Sequence, residues 1–281
     1  MEGKLCVVTG ATDGIGRVTA RALAERGAEV VLVGRNAAKG AEVCKAIQRS
    51  SRNNRVRFEQ ADLSSQAEIR ALAARLTEGS AAIDVLVNNV GALFTRRRES
   101  TDGIEMTFAL NHLGYFLLTG LLLESLQASA AARIVNVASE AHRGGEMNLE
   151  DPQGTKRYSG WRAYQQSKLA NILFTYRLAA LLEGTKVTAN CLHPGFVASR
   201  FGQNNGWIFS TMLKTLMRFS AIDVEAGART SVHVATSAEA AGVSGRYFDK
   251  CRETTSSLAS RDEESGRRLW ELSESLTGHR Y

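Results

Sequence analysis

Short apolar runs rich in valine and isoleucine alternate with longer stretches of helical spacing through the first two-thirds of the chain, and this alternation most narrows the folds open to it. Leu5 to Val8, Glu29 to Val33, Val56 to Gln60, Val85 to Asn88, Ile134 to Val137 and Lys186 to Leu192 each read as a buried strand. Between them Gly16 to Arg26, Ala38 to Arg49, Gln66 to Leu76, Ile104 to Gln127 and Tyr164 to Leu182 read as helices. Parallel strands need crossover connections, so this order specifies an α/β fold, a doubly wound parallel sheet with helices on both faces. The two prolines, Pro152 and Pro194, leave those interiors unbroken.

A length of 281 residues with 44% hydrophobic composition fits one large α/β domain over residues 1–281 better than two ordinary ones. Nothing at the N-terminus resembles a signal peptide, because the apolar run from Leu5 breaks at Thr9-Gly10. The longest other run, Leu113 to Leu123, is interrupted by Gly114, Thr119 and Gly120 and falls short of the roughly 20 residues a membrane span requires. A soluble protein without an integral membrane segment is expected. Cys6, Cys44, Cys191 and Cys251 are scattered, with no metal-ligand spacing, so no metal site and a reduced, cytoplasmic setting are the expectation. The net charge is +6, and Arg96-Arg97-Arg98 is its densest patch. Without aromatic interleaving or a DNA-binding motif, that patch reads as a solvated loop rather than a nucleic-acid site.

The first strand leads into Thr9-Gly10-Ala11-Thr12-Asp13-Gly14-Ile15-Gly16, immediately before a helix. Glycines there let the backbone turn tightly and approach a pyrophosphate, while the helix N-terminus offers free N–H groups and a favourable dipole. Gly10, Thr12, Asp13, Gly14, Ile15 and Gly16 are therefore candidates to line a dinucleotide; the plain alternative is an ordinary strand-to-helix turn. The second strand ends at Val33-Gly34-Arg35-Asn36, which lacks the carboxylate that would bind ribose hydroxyls. Arg35 offers a planar fork of donors for a 2′-phosphate, so it favours NADP(H), with NAD(H) left open, and Asn36 after it is a further cofactor-binding candidate. The negative charge of Asp13 and a merely solvated Arg35 stand against that preference. Later strand ends supply Asp62-Leu63 for the adenine edge and Asn88-Asn89-Val90-Gly91, whose small last residue lets the nucleotide lie against backbone. Asn88 and Asn89 would serve equally as turn formers.

Taken in order, Thr9-Gly10 with Gly14 and Gly16, Asp62-Leu63, Asn88-Asn89-Val90-Gly91, Asn111, Ser139, Tyr164 with Lys168, and Pro194-Gly195 resemble a short-chain dehydrogenase/reductase. Ala141-His142-Arg143-Gly144-Gly145, Ser167-Lys168-Leu169-Ala170-Asn171, the run Asn111 to Thr119 and the ending Leu269-Trp270-Glu271 through Leu276-Thr277-Gly278 are similar to its retinol dehydrogenase-like branch. The resemblance implies hydride transfer between NADP(H) and a lipophilic alcohol or carbonyl compound, in a homodimer or homotetramer. It assigns Tyr164 as acid/base, Ser139 as hydrogen-bond donor to the substrate oxygen, Lys168 as holder of the nicotinamide ribose, and Asn111 as anchor of a proton-relaying water. Asn89, Val90 and Gly91 would lie under the cofactor, and Pro194, Gly195 and Val197 would pass the nicotinamide amide. The chemistry needs such a pair. A phenol with pKa about 10 is a poor base at neutral pH, and positions four apart share a helix face, so the Lys168 ammonium is expected to favour the tyrosinate. The bland readings are a strand-end cap for Ser139, a satisfied helix residue for Asn111 and a surface pair for Tyr164 and Lys168.

Phe209, Met212, Leu213, Leu216 and Met217 form one helical stripe with Lys214 and Arg218 opposite, within a segment 195–225 that reads as a substrate lid. Core packing and a peripheral membrane contact by residues 207–219 are the alternatives. For function, the alternatives to the oxidoreductase are a non-catalytic nucleotide-binding sensor and an epimerase or dehydratase of the same family.

Overall fold

The computed structural model describes residues 1–79, 82–195 and 223–281. Its elements follow in the order β1 (Leu5–Thr9), α1 (Gly14–Glu25), β2 (Glu29–Gly34), α2 (Ala37–Ser51), β3 (Val56–Gln60), α3 (Gln66–Thr77) and β4 (Val85–Asn88). A broken helical stretch comes next: α4 (Met106–Phe108), a π-helical turn (Ala109–Leu113), α5 (Gly114–Leu121) and α6 (Leu123–Gln127). After it come β5 (Arg133–Val137), a 3₁₀ turn (Glu140–Gly144), α7 (Gly160–Leu181), β6 (Thr188–His193), α8 (Val224–Thr236), β7 (Tyr247–Asp249), β8 (Arg252–Thr254) and α9 (Glu263–Thr277).

The eight strands form one sheet in the order β3-β2-β1-β4-β5-β6-β7-β8. Seven run parallel, and β8 folds back antiparallel on β7. Because β1 to β3 step one way and β4 to β7 the other, β1 and β4 are neighbours, and the crevice of such a sheet opens at their C-terminal ends. Successive side chains on a strand point to opposite faces. Leu5 and Val7 accordingly enter a core with residues of α3, α5 and α7, while Cys6 and Val8 enter one with residues of α1, α2 and α8. Being covered on both faces is why the strands read as continuous apolar runs rather than alternating ones.

Two expectations need correction. The run Lys186 to Leu192 pairs only from Thr188, opposite Arg133, because the Thr185 hydroxyl oxygen accepts the Val187 N–H at 3.2 Å and holds those residues in a turn. The helix expected over Ile104 to Gln127 is broken into four pieces. Glu105 caps its true start, its carboxylate accepting from the Thr107 and Phe108 N–H groups at 2.9 and 2.8 Å. The π turn then accommodates Asn111, whose side chain is bound to another segment of backbone. The apolar run Leu113 to Leu123 contributes its Tyr115 to Leu118 wholly to the core. No helix among the described residues is long and apolar enough to cross a membrane. The four cysteines are unpaired, and burial pushes the Cys6 and Cys191 thiols up to about 12. Arg96 and Arg98 are exposed, as a solvated loop requires, while Arg97 donates to the Gln153 carbonyl at 3.1 Å.

Helix α9 closes the side of the molecule on which α5 and α7 pack. Trp270 lies edge-on to Phe116 at 5.1 Å, stacks on Phe174 at 5.8 Å and meets Tyr281 at 4.6 Å, and the Tyr281 hydroxyl donates to the Phe116 carbonyl at 2.6 Å. Truncating a large buried aromatic typically costs about 3–5 kcal/mol, since the lost contacts leave a cavity. Trp270→Ala is expected to lower the unfolding free energy by that order, read as a lower urea midpoint at unchanged slope.

Candidate active site

The crevice is built first from backbone. The Thr9 hydroxyl donates to the Val87 carbonyl at 3.2 Å and accepts from the Asn89 and Val90 N–H groups at 2.8 and 3.2 Å, while Asn89 Nδ2 donates to the Thr9 carbonyl at 2.9 Å. These bonds tie the ends of β1 and β4 together. Asn89 is thus a cross-strand tie rather than only a turn former. Asn88 is likewise more than that, donating to Thr119 Oγ1 and to Asn136 Oδ1, both at 2.9 Å.

The glycine turn runs between these ties. Gly10 takes φ +64°, a conformation costly for a residue with a Cβ, and a Cβ on Gly16 would stand 2.5 Å from both the Gly10 carbonyl oxygen and Asn89 Nδ2. Helix α1 begins at Gly14, with the Gly14 N–H held by the Asp13 carboxylate at 2.8 Å. Its first backbone bond runs from the Arg17 N–H to the Asp13 carbonyl, so the N–H groups of Ile15 and Gly16 precede the first turn's acceptors. The Asp13 charge is not left facing an incoming phosphate, because Lys39 meets it at 2.6 Å. Lys39 is a cation that pattern reading missed; its spacing four residues after Arg35, in the first turn of α2, was the available signal. The exposed Arg35 guanidinium lies 3.7 Å from the Asp62 carboxylate, which brings the ends of β2 and β3 together. Asn36 is engaged as the α2 cap, accepting from the Lys39 N–H at 2.9 Å, and Asp62 accepts from the Ser64 N–H at 2.9 Å. Leu63 is buried in the core, its backbone against Gly114. A tight glycine cradle, a helix N-terminus and a cationic outer end form a donor set that fits a dinucleotide phosphate.

The second half of the site comes from β4, the π turn, β5 and α7. Asn111 accepts from the Ala92 N–H and donates to the Ala92 carbonyl, both at 2.9 Å, and donates to Ser167 Oγ at 3.0 Å. Lys168 Nζ donates to the Val137 carbonyl at 3.0 Å. A Cβ on Gly91 would lie 3.2 Å from Lys168 Nζ and 3.6 Å from Asn111 Oδ1, so all three meet at one point on the end of β4. The ammonium stands 5.8 Å from the Tyr164 ring centre and 5.9 Å from that of Tyr115, whose hydroxyl donates to the Val90 carbonyl at 2.8 Å. Ser139 lies beside the Tyr164 phenol, where it works against the rise of the phenol's pKa, and its hydroxyl accepts from the Ala141 N–H at 3.2 Å. Asn111, Ser139, Tyr164 and Lys168 are therefore brought together. Pro194 and Gly195 follow β6 directly, with Gly195 at φ +84°; Val197 and the stripe 207–219 lie outside the described residues.

Ser139 is held from behind. Ser257 N–H donates to His142 Nε2 at 3.1 Å, which assigns the ring proton to Nδ1 and makes that nitrogen the donor to the Ser139 carbonyl at 2.7 Å. Burial holds the His142 pKa below its usual value, against the opposing pull of that carbonyl. The Glu140 N–H donates to His193 Nδ1 at 3.1 Å. His142 and His193 position the serine's backbone, a role visible only once β5, β6 and residue 257 are brought together.

The electrostatics depart from expectation. Burial pushes Tyr164 up to about 12, with Ser139 opposing, and pushes Lys168 down to about 7. Desolvation of two groups in one dry pocket outweighs their mutual attraction, so the ammonium alone does not make the phenol a base. An unfolded lysine titrates near 10.5, so above about 7 the unfolded chain binds a proton that the folded chain lacks, and stability rises with pH. Above pH 9 to 10 the raised Cys6, Cys191 and Tyr164 act in the opposite sense, because unfolding then releases their protons. From pH 7 to 8.5, the native chain is expected to gain about 1–2 kcal/mol of stability relative to Lys168→Met, measured by urea unfolding at each pH; parallel profiles would contradict the buried neutral lysine.

Comparison with known proteins places this geometry. The family model described as short chain dehydrogenase matches residues 4–206. The chain is 41% identical to mouse retinol dehydrogenase 12 and 42% identical to human retinol dehydrogenase 11, in each case over 99% of this chain and 87% of the relative. Among solved structures, an uncharacterized protein from Mycobacterium paratuberculosis superposes with TM-score 0.81 at 32% identity, covering 100% of this chain and 95% of the other. The Pseudomonas aeruginosa RhlG/NADP complex does so with TM-score 0.70 at 28% identity, covering 88% and 94%.

Proposed function

The chain belongs to the short-chain dehydrogenase family, and on that premise we propose that it moves a hydride between NADP(H) and a lipophilic alcohol or carbonyl compound. The observation that carries this reading is the convergence of Gly91, Asn111 and the buried Lys168 at the end of β4, with Tyr164 one helical turn from that lysine and Ser139 beside the phenol. The bound nicotinamide would supply or accept the hydride. The phosphates would rest on the turn from Gly10 to Gly16, which carries Thr12, Asp13, Gly14 and Ile15. Asn89, Val90 and Gly91 would lie under the cofactor's ribose side, with Lys168 reaching its hydroxyls, and Asp62 and Leu63 would flank the adenine. Pro194, Gly195 and Val197 would pass the amide.

In the reducing direction the Tyr164 phenol is already in the right state. Its raised pKa keeps the proton on Oη at neutral pH, ready for the substrate oxygen, while Ser139 Oγ donates a second hydrogen bond that steadies the charge developing there. Lys168, poised near neutrality, would take up a proton as negative charge builds on Tyr164 Oη, and Asn111 beside it would anchor a water that relays protons from solvent. The low exposure of Tyr164 and Lys168 keeps competing water out. The lipophilic class is supported by the likeness to proteins named retinol dehydrogenases, and NADP(H) by Arg35 and Lys39 with no acidic residue at the end of β2.

With NADPH and a panel of apolar aldehydes and ketones, the purified chain is expected to consume NADPH absorbance. Tyr164→Phe is expected to cut kcat by about 10²–10⁴-fold with NADPH affinity retained, since the general acid is lost and the cradle is not. Binding of NADPH without turnover of any carbonyl would favour the sensor instead. The cofactor selector is best tested at Arg35. A side chain on Gly34 would press to 2.8 Å from Thr12 Cγ2 and disturb the turn itself. Arg35→Ser is expected to lower the NADPH-over-NADH ratio of kcat/KM by about 10–100-fold, the worth of one charge-assisted contact; an unchanged ratio would remove Arg35 from that role.

A further inference from the structure

Three side chains of α7, Trp161, Tyr164 and Lys168, are spaced three and four residues apart and so share one face of the helix. Their exposure falls along that face from 52% at Trp161 through 8% at Tyr164 to 3% at Lys168. The face leads from solvent to the dry interior in two turns. The Trp161 and Tyr164 rings stack, with centroids 5.8 Å apart and planes 26° from parallel. Among the described residues Trp161 is one of three large apolar side chains left exposed, with Leu181 and Leu258, and of these it is the one in contact with the phenol.

We propose that Trp161 forms the outer wall of the substrate site and binds the apolar chain of the carbonyl or alcohol substrate, so that it sets the preference for long apolar substrates over short ones. The inference rests on the oxidoreductase reading above. A substrate oxygen between Tyr164 and Ser139 has Lys168 on its inner side, where Lys168, Gly91 and Asn111 converge and the cofactor ribose assigned to them would stand in the way of a chain. The remainder of the substrate must therefore extend the other way, towards the first turn of α7, where the indole is the adjoining apolar surface. That turn is fixed in place. Ser159 caps it, accepting from the Arg162 N–H at 3.5 Å, and Gly160 packs so closely on Phe94 that a Cβ there would overlap the Phe94 carbonyl oxygen. A flat indole held this way offers wide apolar area with little conformational entropy to lose, and covering it removes exposed apolar surface from water in the same step.

The test compares decanal with propanal, each with NADPH, in the native chain, Trp161→Ala and Trp161→Phe. The readout is the ratio of kcat/KM for decanal over propanal, which a change acting only through Tyr164 would leave constant because both aldehydes need the same acid. Trp161→Ala is expected to lower that ratio about tenfold, about 1.4 kcal/mol, chiefly through the KM for decanal, with Trp161→Phe keeping most of it. A ratio unchanged in Trp161→Ala, while the native chain turns over either aldehyde, overturns the role of Trp161 and leaves the oxidoreductase reading standing. Turnover of no carbonyl by the native chain overturns both.

Discussion

The adjacency of β1 and β4 is the constraint on which the rest of this molecule depends. Strand order reverses there, so the crossovers to either side diverge and a crevice opens at the strand ends. One hydroxyl holds that crevice in shape: Thr9 Oγ1 donates to one strand end and accepts two N–H groups from the segment beyond it. The glycine turn on one side and the Asn89 to Gly91 segment on the other inherit their separation from that tie, and Lys168 and Asn111 are positioned against Gly91.

Desolvation, rather than charge pairing, sets the state of Tyr164 and Lys168 on α7. Tyr164 and Lys168 occupy one dry region, and each is driven towards its neutral form. Without a charged ligand the pair is a phenol that keeps its proton and a lysine near its midpoint at neutral pH. Such an arrangement is responsive: a charge arriving beside either group changes its preferred state in a medium that screens poorly. The Val137 carbonyl accepts from the lysine nitrogen at 3.0 Å, a bond that the charged and the neutral amine can both donate.

Polar ties of the same kind recur through the interior. Asn88, Asn136 and Thr175 form a ladder from β4 through β5 to α7, with Asn136 Nδ2 donating to Thr175 Oγ1 at 3.0 Å. Such bonds cost the core some apolar area, but they fix the register of the helix that carries Tyr164 to the strands that carry Ser139 and Gly91. At the opposite end of the sheet, Asp84 collects the Lys4 ammonium at 2.8 Å, the Leu5 N–H at 2.9 Å and the Ser129 hydroxyl at 2.7 Å. Burial works against its ionisation, yet these three donors hold its pKa below the usual carboxylate value and anchor β1 to β4 from below.

What the amino-acid order determined was everything carried by local period and spacing. The doubly wound sheet was legible because strands buried on both faces are written as unbroken Val and Ile runs, and Tyr164 and Lys168 were legible because four residues is one turn. The short β7 and β8 and the breaks at Asn111 were not, since three-residue strands have no period and a π turn depends on where Ala92 lies. His142 and His193 escaped for the same reason, because each acts on backbone brought from elsewhere in the chain. Only the tertiary structure decided the charge state of the tyrosine and lysine, since sequence gives their spacing along a helix but desolvation depends on how completely the surrounding strands and helices exclude water.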